Sequence, residues 1–596
     1  MAKNGSILLA IDNDYPDLLQ EEEKSLAKEG YQYQIDEAAR SEGRLVIKVH
    51  YPIEDKEHDL ICLYPAAYPF FAPIVFGATL PSGRHVDPYS HRLCLFENEQ
   101  SVWNPHSDNL AKTLKEQIPL ILKSHAFPDD ASDIEGNVGY QITGQISYEN
   151  NSVIFVEDWE LPEGISFGEM TLKLRKDCNA ETVISGYIES LQVRGEIITM
   201  PNSPLSSIFE SKLKCKWIKL NSPPASMNSE DVLREAICVL PSIKNPNFQK
   251  HGIDIVGLVF SEESNYKEII FNWIFVIRRK LPKSKTKPKN INYVSQIIRS
   301  DRYTKENMQR RIPRLSPIVD KNILVVGAGA LGSNIIWQLA RSGVTSLTVI
   351  DFDIVQVGNL PRWLLGFWAV GRSKVEAISL FLAQNFPGIK YRPINFHIGS
   401  AQTIFVDNEK IDAHAFLKEI VKESDLVIDS AAETNVSTYL SSLCEEVAIP
   451  YVWATATQGG WGGITGRVIP NVTEGGWMDF AYLNANGDIS LPAAEEGSNI
   501  QPVGCFHPTF TGTGFDLDQV SLMATRLSVA TLCNGEIEGY PDFDWDVGVL
   551  SLWDEQGEKP IAPRWETSKL VKYYGNRNEK FSSSLDKLPN ISENDR

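Results

Sequence analysis

Asn322–Asp351 reads NILVVGAGALGSNIIWQLARSGVTSLTVID, and the architecture of its surroundings follows from it. Asn322–Val326 is a short apolar, β-branched run of strand type. It leads directly into Gly327, Gly329 and Gly332, spaced G-x-G-x-x-G, and then into a segment of helical periodicity, Ser333–Ser342. A second strand-like run, Ser346–Asp351, ends on an acid 19 residues after Gly332. Gly327 permits a tight turn, Gly329 lets a phosphate approach the backbone, and Gly332 lets the helix pack on the strand. The helix N-terminus offers unpaired N–H groups and the positive end of a dipole to an anion. Asp351 stands where an acid receives ribose hydroxyls. Strand, turn, helix, strand and acid in this register predict a nucleotide site.

Downstream, Asp425–Asp429 and Tyr451–Ala454 continue the alternation of strand and helix, which predicts a doubly wound, Rossmann-like α/β domain over residues 320–575. The segment after the acid, DFDIVQVGNLPRWLLGFWAVGRSKVEA (residues 351–377), separates two candidate nucleotides. It supplies Asn359, Arg362 and Lys374. A dehydrogenase binding NAD has no need of two cations here. An enzyme that cleaves ATP between its α- and β-phosphates does, because negative charge grows on the bridging oxygen and around the attacked phosphorus.

The pattern Gly327, Gly329, Gly332, Asp351, Asp353, Asn359, Leu360, Arg362 and Lys374 resembles the adenylation domain of ubiquitin-activating enzymes and of the ThiF/MoeB/HesA family. The resemblance covers roughly residues 310–540. It implies ATP and Mg as cofactors, Asp351 on the ribose, and Asn359, Arg362 and Lys374 on the phosphates. Two positions depart from the family: Trp363 stands where Gln is usual, and the magnesium-binding Asp is absent. In LVIDSAAETNV (residues 426–436) the acid at that place is Glu433, which the resemblance makes the metal ligand, with Asp429 as the alternative. Cys444, Cys505 and Cys533 form no paired CxxC, so no structural zinc is expected.

Residues 1–128 carry a second chemistry. The stretch YPAAYPFFAPIVFGATLPSGRHVDPYSHRLCLFENEQSVWNP begins at Tyr64 and contains Cys94 between two leucines, followed by Trp103-x-Pro105. A helix from Asp108 then repeats Leu110, Leu114, Ile118 and Leu122 at i+4. This is similar to a ubiquitin-conjugating-like α+β domain whose active cysteine is Cys94. The family's His-Pro-Asn is missing; His85-Val-Asp87-Pro lies there instead. His85, His91 and Arg92 are suited to stabilise a thiolate, whereas Cys62, inside DLICLYP, reads as core. On the activating side, Cys505 lies in the Gly/Pro-rich PVGCFHP and is the expected first acyl acceptor. Cys444 and Cys533 lie in helices and read as packing.

The remainder is bounded by composition. At roughly 100–200 residues per domain, 596 residues predict several domains. Residues 129–280 read as a strand-rich partner domain without a phosphate loop, 281–319 as a basic linker, and 576–596 as a polar, disordered tail. Charge is 57 − 77 = −20, which argues against nucleic acid as a partner. No apolar run reaches the ~18 residues of a membrane helix. Eight scattered cysteines without a framework point to a reducing cytoplasm, hence a cytoplasmic protein with no membrane partner.

A conjugating-like domain ahead of an activating domain resembles the fusion proteins of CBASS anti-phage operons. That resemblance makes residues 129–280 an inactive adenylation-like domain and the protein a homodimer. It implies two partners: a cGAS/DncV-like nucleotidyltransferase whose C-terminus is the substrate, and an acceptor protein with a free amine. Catalysis would rest on Cys94, Cys505, Arg362 and Lys374. The rival readings are a sulfur-carrier adenylyltransferase and a non-catalytic scaffold.

Overall fold

The structure is a computed structural model. It describes residues 17–53, 56–81, 83–96, 103–126, 148–149, 152–175, 184–199, 203–226, 228–248, 252–265, 267–281, 293–399, 403–406, 409–495, 497, 499–500 and 509–573. The expected tail 576–596 lies outside them. The chain forms two compact units: residues 1–202 with 209–302, and residues 203–208 with 303–596.

The first unit opens with α1 (Leu18–Lys28), followed by β1 (Gln32–Ile35), β2 (Val46–Ile53), β3 (Lys56–Leu63) and β4 (Ile74–Phe76), an antiparallel meander in sequence order, and then α2 (Leu110–Ala126). Alternation along β2 and β3 sends Ile47, Val49, Leu60 and Cys62 into one core with Leu26 of α1 and Leu110, Leu114 and Ile118 of α2. Glu22 is buried in that core and joins its parts. Its carboxylate accepts hydrogen bonds from the hydroxyls of Tyr64 and Tyr68 and from the Leu110 N–H at the start of α2.

The rest of the first unit is β-rich. Its strands are β5 (Val153–Val156), β6 (Phe167–Leu174), β7 (Ser185–Val193), β8 (Glu196–Thr199), β9 (Ser211–Lys219), β10 (Ile253–Asn265), β11 (Glu268–Lys280) and β12 (Tyr293–Arg302). They pair in the order β5-β12-β11-β10-β9-β6-β7-β8, and β5 also pairs with β7, so seven strands close on themselves. The α-helix of this region among the described residues is α3 (Ser229–Val239).

This differs from the inactive adenylation-like α/β arrangement expected for 129–280. The apolar runs of β10 and β11 are joined by too short a turn for a crossover helix, so they pair antiparallel as one hairpin. The expected basic linker 281–319 also needs correction. Tyr293–Arg302 is strand β12, antiparallel to β11 and parallel to β5. Arg278, just before the expected linker in β11, is buried. It donates to Asp254 through Nε at 2.7 Å and through Nη2, and to the Ile243 carbonyl at 2.6 Å.

The second unit is built on β13 (Asn322–Val326), β14 (Ser346–Ile350), β15 (Lys390–Ile394), β16 (Leu426–Asp429), β17 (Tyr451–Ala456), β18 (Gly462–Val468), β19 (Val547–Trp553) and β20 (Pro560–Ser568). The order is β15-β14-β13-β16-β17-β18-β19-β20. The first five strands are parallel and the last three antiparallel. The connection from β17 to β18 is too short for a crossover, which turns the sheet antiparallel at that edge.

Helices cover both faces. Ile323 and Val325 pack on α4 (Ala330–Arg341), α5 (Lys374–Asn385) and α9 (Gly514–Cys533). Leu324 and Val326 pack on α6 (Ala413–Lys422), α7 (Thr434–Val447) and α8 (Trp477–Ala485). β13 is buried on both faces, as its unbroken apolar run requires. The strand order reverses between β13 and β16, and a ligand crevice in such sheets lies beyond the carboxyl ends of the strands at that point.

Candidate active site

The three glycines after β13 face three different surroundings. Gly327 has φ +87°, and a Cβ there would stand 2.7 Å from the Ala431 nitrogen in the loop after β16. A Cβ on Gly332 would stand 1.9 Å from the Gly327 carbonyl oxygen and 2.5 Å from Ser430 Oγ, so helix α4 packs against its own entry turn only with glycine there. Around Gly329, a Cβ would meet nothing within 4 Å. The middle glycine therefore leaves a seat at the N-terminus of α4, where backbone N–H groups and the helix dipole suit an anion.

Asp351 closes this seat from the side. Its carboxylate is buried and accepts from the Ala328 N–H at 2.6 Å and the Asp353 N–H at 2.7 Å. Asp353 in turn accepts from Lys374 Nζ at 2.6 Å, and its carbonyl caps the Lys374 N–H at the start of α5. Trp363, at the position where the resemblance expects Gln, is buried and donates from Nε1 to the Ala328 carbonyl at 2.7 Å. Ala328 is thus the point at which the glycine turn, Asp351 and the Arg362–Trp363 segment meet.

Arg362 is half-buried, and burial draws its pKa below the ordinary arginine value. Its guanidinium donates to the Phe510 carbonyl at 2.6 Å and to Thr509 Oγ1, and lies 5.0 Å from the centre of the Phe510 ring. Asn359 uses its side-chain oxygen locally, accepting from the Gln356 N–H at 2.8 Å. Both expected cations therefore have protein partners of their own, Asp353 and the Thr509–Phe510 segment. Asp353 and Thr509 were not assigned site roles from the sequence; the Asp-x-Asp spacing was the available signal for the first.

Glu433 is exposed at the N-cap of α7. Asp429 is closed to a metal: it is buried and accepts from Ser437 Oγ at 2.6 Å, Tyr451 Oη at 2.8 Å and the Ala431 N–H at 3.0 Å. Burial also pushes its carboxyl above the usual carboxylate range. Among the described residues no cluster of three or more His, Cys, Asp or Glu is arranged for a metal. Magnesium in nucleotide sites commonly takes one or two carboxylates and completes its shell with phosphates and water, so the exposed Glu433 carboxylate fits that pattern.

In the first unit, Cys94 is exposed between buried Leu93 and Leu95. Its Sγ lies 3.6 Å from the Phe96 carbonyl. Its N–H donates to the His85 carbonyl at 2.8 Å. Trp103 is buried beneath the loop and donates from Nε1 to the Pro69 carbonyl at 2.6 Å. Asp87, in the stretch that stands in place of the family's His-Pro-Asn, is occupied by its own turn, accepting from the Tyr89 and Ser90 N–H groups and Ser90 Oγ. Cys62, Cys444 and Cys533 are buried, and burial pushes the Cys444 thiol up to about 12. Cys505 lies outside the described residues.

Residues 304–508 match the ThiF family. An uncharacterised protein of Sinorhizobium fredii, y4oA, is 26% identical over 556 residues, 89% of this chain and 91% of the relative. The ATP-dependent ubiquitin transferase-like protein Cap2 of Enterobacter hormaechei is 24% identical over 232 residues, 38% of this chain and 36% of its own length. The molybdopterin-synthase adenylyltransferase of Escherichia coli is 33% identical over 138 residues, 23% of this chain and 50% of its own length. The second unit thus carries a ThiF-type adenylation domain.

Proposed function

We propose that this chain uses ATP to activate the C-terminal carboxylate of a protein and passes it through two cysteine thioesters to an amine. One observation carries the first step. A single hydrogen-bonded set around Ala328 gathers an open glycine seat, a ribose-type acid and the Arg362 segment, with Lys374 joined through Asp353. In this reading the carboxylate attacks the α-phosphorus of ATP, giving an acyl-adenylate and releasing pyrophosphate. Arg362 and Lys374 exchange their protein partners for phosphate oxygens as charge develops. Asn359 joins them on the phosphates. Glu433 is the carboxylate toward magnesium.

The later steps extend from the thiols. Cys505, four residues before Thr509 in sequence, attacks the adenylate carbonyl and expels AMP. The Cys94 thiolate then attacks the Cys505 thioester carbonyl and takes the acyl group, releasing Cys505 as its thiolate. An amine of the acceptor attacks the Cys94 thioester, forming an amide and restoring the thiol. The exposure of Cys94 and the helix–meander–helix order around it support this role. The substrate in this reading is the tail of a cGAS/DncV-like nucleotidyltransferase, handled by a homodimer in the cytoplasm. Resemblance to the CBASS fusion proteins supports that choice.

The test is ATP–pyrophosphate exchange by the full chain, supplied with a C-terminal peptide of a cGAS/DncV-like nucleotidyltransferase. Exchange dependent on the peptide is expected. Binding of NAD with no pyrophosphate exchange overturns the reading. The match to a molybdopterin-synthase adenylyltransferase favours a second reading, adenylation of a sulfur carrier, which has no use for Cys94. A thiol-sensitive, ATP-dependent adduct on Cys94 separates the two.

A further inference from the structure

We infer that the β-barrel of the first unit is a positioning device for the Cys94 loop, acting through Arg84 and Tyr89. The inference rests on the reading of Cys94 as an acyl acceptor, and its observations are separate from that reading. The residues before Cys94 fold back on it as a small antiparallel arm. Val86 bridges Leu93, the Asp87 N–H donates to the Arg92 carbonyl at 2.8 Å, and the Cys94 N–H donates to the His85 carbonyl. The second side of the arm is tied to the meander, where the Leu93 N–H donates to the Val75 carbonyl at 2.8 Å. His85 and His91 turn the arm with positive φ, at 63° and 58°.

The first side of the arm is held from the barrel at two points. At its base, Arg84 Nη2 donates to both carboxylate oxygens of Glu263 on β10, at 2.8 and 2.6 Å, and both side chains are mostly shielded from solvent. Near its tip, Tyr89 Oη donates to the Pro224 carbonyl at 2.7 Å, and its ring packs on the cluster formed by α3 and one face of β10–β12. A charge-assisted pair out of water is stronger than an exposed one and fixes direction as well as distance. Two anchors on one strand of the arm, with Cys94 hydrogen-bonded to that strand, set where the thiol emerges. Gly83 and His125 complete the base: His125 Nε2 contacts the Arg84 carbonyl, and a Cβ at Gly83 would collide with the His125 ring. Among the barrel's described residues there is no glycine-rich phosphate loop, and positioning is a use for it that requires no chemistry of its own. Arg84, Tyr89 and Glu263 are positioning residues and touch no reacting atom.

The experiment compares the full-length wild type with Arg84→Ala, Glu263→Gln, Tyr89→Phe and the exchanged pair Arg84→Glu/Glu263→Arg. Glu263→Gln keeps an acceptor for the Lys267 N–H that Glu263 also receives. Tyr89→Phe removes one hydroxyl only. Two readouts need no partner: hydrogen exchange of the Leu93 and Cys94 amides, and the rate of Cys94 alkylation by iodoacetamide.

Exchange about tenfold faster and an altered alkylation rate are expected in the single variants, with return toward wild type in the exchanged pair. The third readout is the ATP-dependent, thiol-sensitive adduct on Cys94 with the nucleotidyltransferase peptide, which should form more slowly in the same order. Wild-type exchange and alkylation in all single variants overturn the clamp. So does a loosened loop that still forms the adduct at the wild-type rate. If the wild type itself forms no adduct on Cys94, the thioester reading fails, and the partner-free readouts show whether the clamp fails with it.

Discussion

Gly329 and Gly332 stand three residues apart under opposite constraints, and the difference is measurable. A methyl on Gly332 would meet backbone, so Gly332→Ala should lower the stability of the second unit by about 1–3 kcal/mol in chemical denaturation. A methyl on Gly329 enters open space, so Gly329→Ala should leave stability within about 0.5 kcal/mol. It should nonetheless weaken ATP binding about tenfold or more in calorimetry, because the methyl stands in the anion seat. Arg362→Ala should slow pyrophosphate exchange by about 10²–10³, the usual loss of one charged transition-state contact. Thr509→Val should cost less, because it removes only one of the groups that hold Arg362. The places of the glycines and Asp351 were legible because each is set locally, within a turn or between adjacent strands. The partners of Lys374 and Arg362 were not, since Thr509 lies 147 residues from Arg362 and no spacing rule spans that distance.

At the level of elements, buried charges hold helices and strands together in the first unit. Glu22 pins α1 to α2, and burial raises its pKa above the ordinary carboxyl value of 4.5. A raised carboxyl favours the native state when protonated. Its contribution is therefore full below the unfolded value and is lost as pH rises through the folded value. The wild type should gain stability relative to Glu22→Gln on acidification through that window, read as the difference in Tm between the two proteins at each pH. A wider difference on the alkaline side would contradict the sign.

Asp254 and Arg278 pose the related case of a paired buried charge. Asp254→Ala should destabilise the first unit by about 3–5 kcal/mol, because Arg278 is left buried and unpaired. The double substitution Asp254→Leu/Arg278→Met should lose less, as denaturant midpoints will show. Strand β12 is an element whose composition misleads. Only Ile297 and Ile298 of its ten residues are buried, so its composition resembles a solvated linker, and pairing on both edges makes it a strand.

For the whole molecule, the proposed relay divides its chemistry between the two units. Cys94→Ala should abolish conjugate while leaving pyrophosphate exchange at the wild-type rate, because Cys94 and the nucleotide residues belong to different units. In that background a thiol-sensitive adduct should persist on a non-reducing gel and vanish when Cys505→Ala is added. An adduct that survives Cys505→Ala and vanishes with Cys533→Ala would assign the first thioester to the wrong thiol. Burial of Cys533 at the end of α9 favours the first outcome. Among the described residues no helix is long and apolar enough to cross a membrane.

Residue order along the chain was enough to read the parallel half of the second unit, the glycine turn and the acid that follows it. The i+4 leucine and isoleucine repeat likewise marked the helix that follows Cys94, which runs over Leu110–Ala126. These follow from apolar periodicity and from backbone demands that only glycine meets, both of which act over a few residues. Closure of the middle region as a barrel, the interior place of Arg278, the burial of Asp429 and the protein partners of Lys374 and Arg362 came only with the assembled fold. Those outcomes depend on contacts between distant segments. There, the free energy of desolvating a charge is set by what the fold brings opposite it, and the local sequence does not carry that information.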